Sequence, residues 1–180
     1  MNQTQQKIQT AGKKAALILR AGSLVSAAVA ALALFAICIL LFSVGETKAS
    51  FLSAFDVTAS NGTTIRMAPD SLLLLFVFML ADAVLITFIL FFVYSIFRNI
   101  AADGLPFTRA NAVLIRKTAV VCILLGLLGS CSDSLVDYYT IGAPGWNVNL
   151  TGLVMGLALY CLSLIFAYGC DLQQLSDETL

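Results

Sequence analysis

One carboxylate stands where a carboxylate is expensive. Asp82 interrupts an otherwise uncharged apolar run of 26 residues, Leu72 to Phe97, ten positions after its start. If that run is a membrane helix, a rise of about 1.5 Å per residue puts Asp82 roughly 15 Å in, near mid-bilayer. An ionised side chain at that depth costs about 3 kcal/mol on the insertion scales, so the group should face other helices and be hydrogen-bonded or protonated. No Lys or Arg lies at the same depth, which favours a neutral donor over half of a salt bridge. Tyr160 is also ten residues into an apolar run, and the matching depth predicts a contact between Asp82 and Tyr160. A polar clamp between helices is one role for the pair; a proton or cation step is the other. Asp133 lies only three residues from the end of its run, roughly 5 Å below the surface, where solvent is within reach. The depth difference of about 10 Å argues against a paired-aspartate protease.

Other chemistry is scarce. The chain has no histidine, which removes the commonest general base and metal ligand. Its five cysteines, Cys38, Cys122, Cys131, Cys161 and Cys170, all fall in apolar runs and form no C-x-x-C pair, so they read as small buried hydrophobes and no metal site is expected. No glycine cluster follows a strand to open a helix, so phosphate loops and dinucleotide fingerprints are missing and no cofactor is expected. No catalytic residue stands out, and the chain does not read as an enzyme. Ten basic and ten acidic residues cancel, so the basic footprint of direct nucleic-acid binding is absent.

The elements that hold these residues are membrane helices. Hydrophobic residues make up 60% of the 180 and charged residues 11%, against about 25% charged in a soluble domain. Four long runs are almost free of charge, at 21–44, 72–97, 118–136 and 150–170, and each is long enough to cross a bilayer as a helix. The first is too long for a cleaved signal and reads as an anchor. The expected fold is an all-α integral membrane domain of four transmembrane helices over residues 1–180. Eight of the ten basic residues lie before the first run or between the second and third, which places the N-terminus, the central loop and the C-terminus in the cytoplasm.

Loops and helix faces add detail. In the first outer loop, Val57 to Ser60 and Thr63 to Arg66 flank Asn61-Gly62, a pair that favours a two-residue turn and suggests a small β-hairpin. The second outer loop carries Tyr138, Tyr139 and Trp146, an interfacial aromatic belt. In the central loop, Gly104 suits a helix C′ position, Pro106 blocks continuation, and Thr108 is a fair N-cap for a helix that carries Arg109 and Arg116 on one face. That face suits lipid headgroups. Small residues form two stripes, Gly22, Ser26 and Ala30 on the first span and Gly152 and Gly156 on the fourth; packing within the monomer accounts for them ahead of a homodimer.

Two segments resemble a known family. Gly104-Leu105-Pro106-Phe107-Thr108, then Asn111 and Ile115-Arg116, is similar to the G-x-P-F-T-x-x-N signature before the third span of a bacterial membrane-protein family, domain of unknown function 2975. Gly169, Leu172-Gln173 and the ending Asp177-Glu178-Thr179-Leu180 resemble that family's terminal pattern, from which Leu175 departs where an acid is usual. The resemblance implies a multi-pass protein of the bacterial plasma membrane and a cytosolic helix-turn-helix regulator as partner. One functional expectation follows: a regulatory or sensory protein that binds a cytosolic partner through Gly104, Pro106, Phe107, Thr108, Arg109, Asn111 and Arg116 of the loop together with Asp177 and Glu178 of the tail. The rival is a small transporter or immunity-type protein in which Asp82 handles a proton or ion. A third outcome is that loop and tail only pair with each other, Arg109 or Arg116 with Asp177 or Glu178.

Overall fold

The computed structural model describes the backbone of residues 3–55, 57–58, 64–65, 68–103, 107–141 and 150–178, and their side chains apart from 3–9, 57–58, 64–65, 103, 136, 139–141 and 177. These segments form α1 (Gln3–Phe42), α2 (Glu46–Ser53), β1 (Val57–Thr58), β2 (Thr64–Ile65), α3 (Pro69–Asp103), α4 (Arg109–Ile141) and α5 (Leu150–Glu178). Helices α1, α3, α4 and α5 are long and apolar enough to cross a membrane, which makes the chain a multi-pass membrane protein.

Each of these helices overruns its charge-free run. Helix α1 has 40 residues, about 60 Å of rise against a hydrocarbon layer of about 30 Å. Lys, Arg and Gln are good helix formers, so the charges that end an apolar run do not end the helix. Ends come where the backbone demands them. Gly45 follows α1 with φ 73° and ψ −137°, a left-handed conformation that glycine adopts without Cβ strain. Pro69 opens α3 at the position where a missing N–H costs nothing, and Asp70 complements the helix dipole. The Thr108 hydroxyl accepts the Asn111 N–H at 3.2 Å and so caps α4.

The stretch after Gly45, expected as loop, contains the helix α2. Its Phe51 and Leu52 pack on a cluster of Ala36, Leu40, Leu72 and Phe76 from α1 and α3. The rings of Phe51 and Phe55 lie 5.1 Å apart, and 6.3 and 5.5 Å from Phe76. The strands pair antiparallel as Val57↔Ile65 and Thr58↔Thr64. Asn61 and Gly62 lie outside the described residues.

The long helices lie in a row, α1–α3–α4–α5, each packed on the next. Gly12 of α1 lies beside Phe97 and Ala101 of α3, Asn99 of α3 donates to Asn111 of α4 at 3.1 Å, and Arg109 of α4 meets Asp171 of α5. The start of α1, the α3–α4 connection and the close of α5 therefore share one end, the terminal end below; α2 and the strand pair occupy the opposite end.

The two small-residue stripes serve different seams. Ser26 is buried against α3 and donates its hydroxyl to the Ala83 carbonyl at 2.9 Å, while Gly22 faces Leu90 with room to spare. Gly152 and Gly156 face α4, where a Cβ would fall 2.6 Å from the Gly126 Cα and 2.5 Å from Ile123 Cγ1. Backbones thus approach closely along α4–α5, as small residues allow in lipid.

Candidate functional site

The α4–α5 seam opens at the terminal end into a cleft of about 400 Å³, lined by Phe107, Thr108 and Arg109 on one side and by Cys170, Gln173, Gln174 and Glu178 on the other. Phe107 stands at its root. The Phe107 ring lies 4.9 Å from that of Phe166 and rests on Gly169, where a Cβ would come within 3.2 Å of Phe107 Cδ1. It still keeps 45% of its surface exposed. Arg109 Nη2 donates to Asp171 Oδ1 at 3.0 Å across the rim, with both side chains largely exposed. Gln174 donates to Glu178 at 3.3 Å one turn further along α5. The arrangement offers an aromatic floor, a guanidinium, carboxylates and amides at fixed positions, which is recognition chemistry.

Several expected site residues fall elsewhere. Asn111 is fully buried and takes its hydrogen bond from Asn99, so it joins α4 to α3 and does not lie on the surface. Arg116 does not reach the tail; its guanidinium sits over the Tyr160 ring, 5.9 Å from the centroid. The acid facing Arg109 is Asp171, nearly two turns before the expected Asp177 or Glu178. Gly104 and Pro106 lie outside the described residues, as does the side chain of Asp177.

The expected contact between Asp82 and Tyr160 is not made. Tyr160 is level with Arg116, whereas Asp82 lines a cavity with Ser132. Sixteen positions of α4 separate those two residues, about 24 Å of rise. The cause is an axial offset: α5 starts beside Gly126, while α4 continues to Ile141, so equal distances from the two run starts are not equal depths. The same extension puts Asp133 eight residues, about 12 Å, before the end of α4, next in sequence to the Ser132 that lines the cavity of Asp82. Asp133 is exposed, and no hydrogen bond joins the two carboxyl groups among the described residues.

Asp171 and Gln174 were not among the expected site residues because the fourth span was ended at Cys170, Gln173 entered only as part of the family resemblance, and Phe166 read as one more apolar residue of the span. Phe166, Cys170, Gln173, Gln174 and Glu178 follow helical spacing, which marks a continuous face once the helix is allowed to run on. No family model, curated protein or solved structure matches the chain.

Proposed function

We propose that the chain is a regulatory or sensory protein of a bacterial plasma membrane, with both termini in the cytoplasm, and that it holds a cytosolic protein in the α4–α5 cleft. One observation carries the reading: Phe107, nearly half exposed, is held in place by Phe166 and Gly169 beside the Arg109–Asp171 pair. Lipid anchoring needs basic charge and an apolar face, not an aromatic ring held against α5 among amides and acids. An exposed aromatic flanked by a polar rim is the composition of a binding hot spot. The excess of Lys and Arg toward the terminal end supports a cytoplasmic placement of the cleft. The family resemblance supports a helix-turn-helix regulator as the occupant. Binding, not catalysis, is the proposed work of the site.

A photoreactive residue in place of Gln173 tests this in whole cells. It should crosslink to one defined cytosolic protein, and the adduct should vanish with Phe107→Ala and with deletion of Gln174–Leu180, while the protein stays in the membrane. The same probe at Leu127, on the exposed flank of α4, should give no such adduct. Undiminished crosslinking by both variants, or labelling of a Thr4→Cys variant by an impermeant thiol reagent outside the cell, would overturn the proposal.

A further inference from the structure

Toward the end that carries α2, helices α1, α3 and α4 leave a cavity of about 540 Å³. Its walls are mostly apolar, from Val25, Val29, Leu75, Met79, Ile86 and Leu90. Val25, Met79 and Ile86 are each at least 40% exposed on the helix flanks, so the mouth opens sideways, toward where lipid chains would lie. Asp82, Ser26 and Ser132 are the polar residues of the lining. The Asp82 Oδ1 is enclosed and accepts no hydrogen bond. The hydroxyls of Ser26 on α1 and Thr87 on α3 are committed elsewhere: Ser26 donates to the Ala83 carbonyl at 2.9 Å, and Thr87 has that carbonyl at 2.8 Å and the Ser26 oxygen at 3.0 Å.

Electrostatics and shape together select an occupant. No Lys or Arg lines the cavity, and Asp133, which follows the lining residue Ser132, is of the same sign as an ionised Asp82, which disfavours anions. A bare divalent ion wants about six oxygen ligands, and these walls are hydrocarbon and thioether. A neutral apolar guest would fill the walls and leave the carboxyl without a partner, a costly state for a buried polar group. A monovalent organic cation meets both demands, because its substituents pack on the walls while its charge neutralises the carboxylate. We infer that the cavity between α1, α3 and α4 is a binding site for a lipophilic monovalent cation, which enters sideways from the bilayer and uses Asp82 as its counter-charge. The site is separate from the terminal cleft and does not depend on the role proposed there.

The test uses the full chain in lipid nanodiscs with tetraphenylphosphonium and dodecyltrimethylammonium as probes, triphenylphosphine oxide as a neutral counterpart, and empty nanodiscs to subtract partition. At least one cation should bind saturably, and the neutral compound should not displace it. Asp82→Asn should weaken binding at least about tenfold, and Asp133→Asn distinctly less, since a charge farther away contributes through a weaker field. Ser132→Leu, which narrows the cavity and leaves the carboxyl intact, should also abolish binding, so the result does not depend on how the Asp82 variant folds. If neither cation binds saturably, or if binding survives both Asp82→Asn and Ser132→Leu in folded protein, the cavity is no cation site and Asp82 is a buried acid without a guest.

Discussion

The seams α4–α5 and α1–α3 both carry small residues at helical spacing, yet they are built differently. At α4–α5 a methyl group on Gly152 would strike the backbone of Gly126, and one on Gly156 would come within 2.9 Å of the Ala119 carbonyl. At α1–α3 a methyl group on Gly22 would meet Leu90 at an ordinary 3.6 Å, and the neighbouring space is the cavity that holds Asp82. Gly152 and Gly156 serve backbone contact, as Gly12 does near the terminal end of α1–α3, whereas Gly22 leaves space beside a polar residue. The same motif therefore carries opposite meanings, and what a Cβ would touch decides which.

The sharpest break of that contrast is Gly152→Ala. The backbones must separate, and a loss of about 1–3 kcal/mol is expected in a reversible unfolding assay in detergent. Gly22→Ala in the same assay should cost nothing and gain up to about 1 kcal/mol of helix propensity; equal damage at both sites would erase the distinction. Next comes Asn111→Leu, which removes the buried bond to Asn99 and should cost about 0.6–1.7 kcal/mol, the range for polar contacts between membrane helices.

Asp82→Leu should leave stability unchanged or raise it by about 1 kcal/mol, since no bond to Oδ1 is lost and a buried polar group is relieved. A clear destabilisation would mean that Asp82 clamps helices after all. The smallest effect belongs to Asp171→Asn, under about 1 kcal/mol and shrinking further with added salt, because both partners of Arg109–Asp171 are largely exposed. Thermal unfolding at two salt concentrations measures it.

Four membrane helices were legible because lipid leaves the backbone no alternative at such lengths. The Thr108 cap was legible too, since its side-chain chemistry acts within one turn. What sequence could not supply is the axial offset between helices. Depth counted from the start of each apolar run assumes that the runs begin level, and α5 begins beside Gly126 instead. That single offset moved Tyr160 away from Asp82 and onto Arg116. Helix α2 was missed for a related reason: its Phe51 and Leu52 are held by the cluster around Leu72 and Phe76, which no local pattern reveals. Asn111 looked like part of a surface motif, and only the packing of α3 turned it inward.

The order of the row has a consequence for communication. The intramembrane cavity belongs to α1, α3 and α4, and the cleft to α4 and α5, so α4 is the one helix that lines both. Its unbroken run from Ser132 to Arg109 spans about 35 Å. A tilt of α4 set at one end would be delivered at the other, with the closely packed α5 carried along, much as a rod moved at its handle moves at its tip.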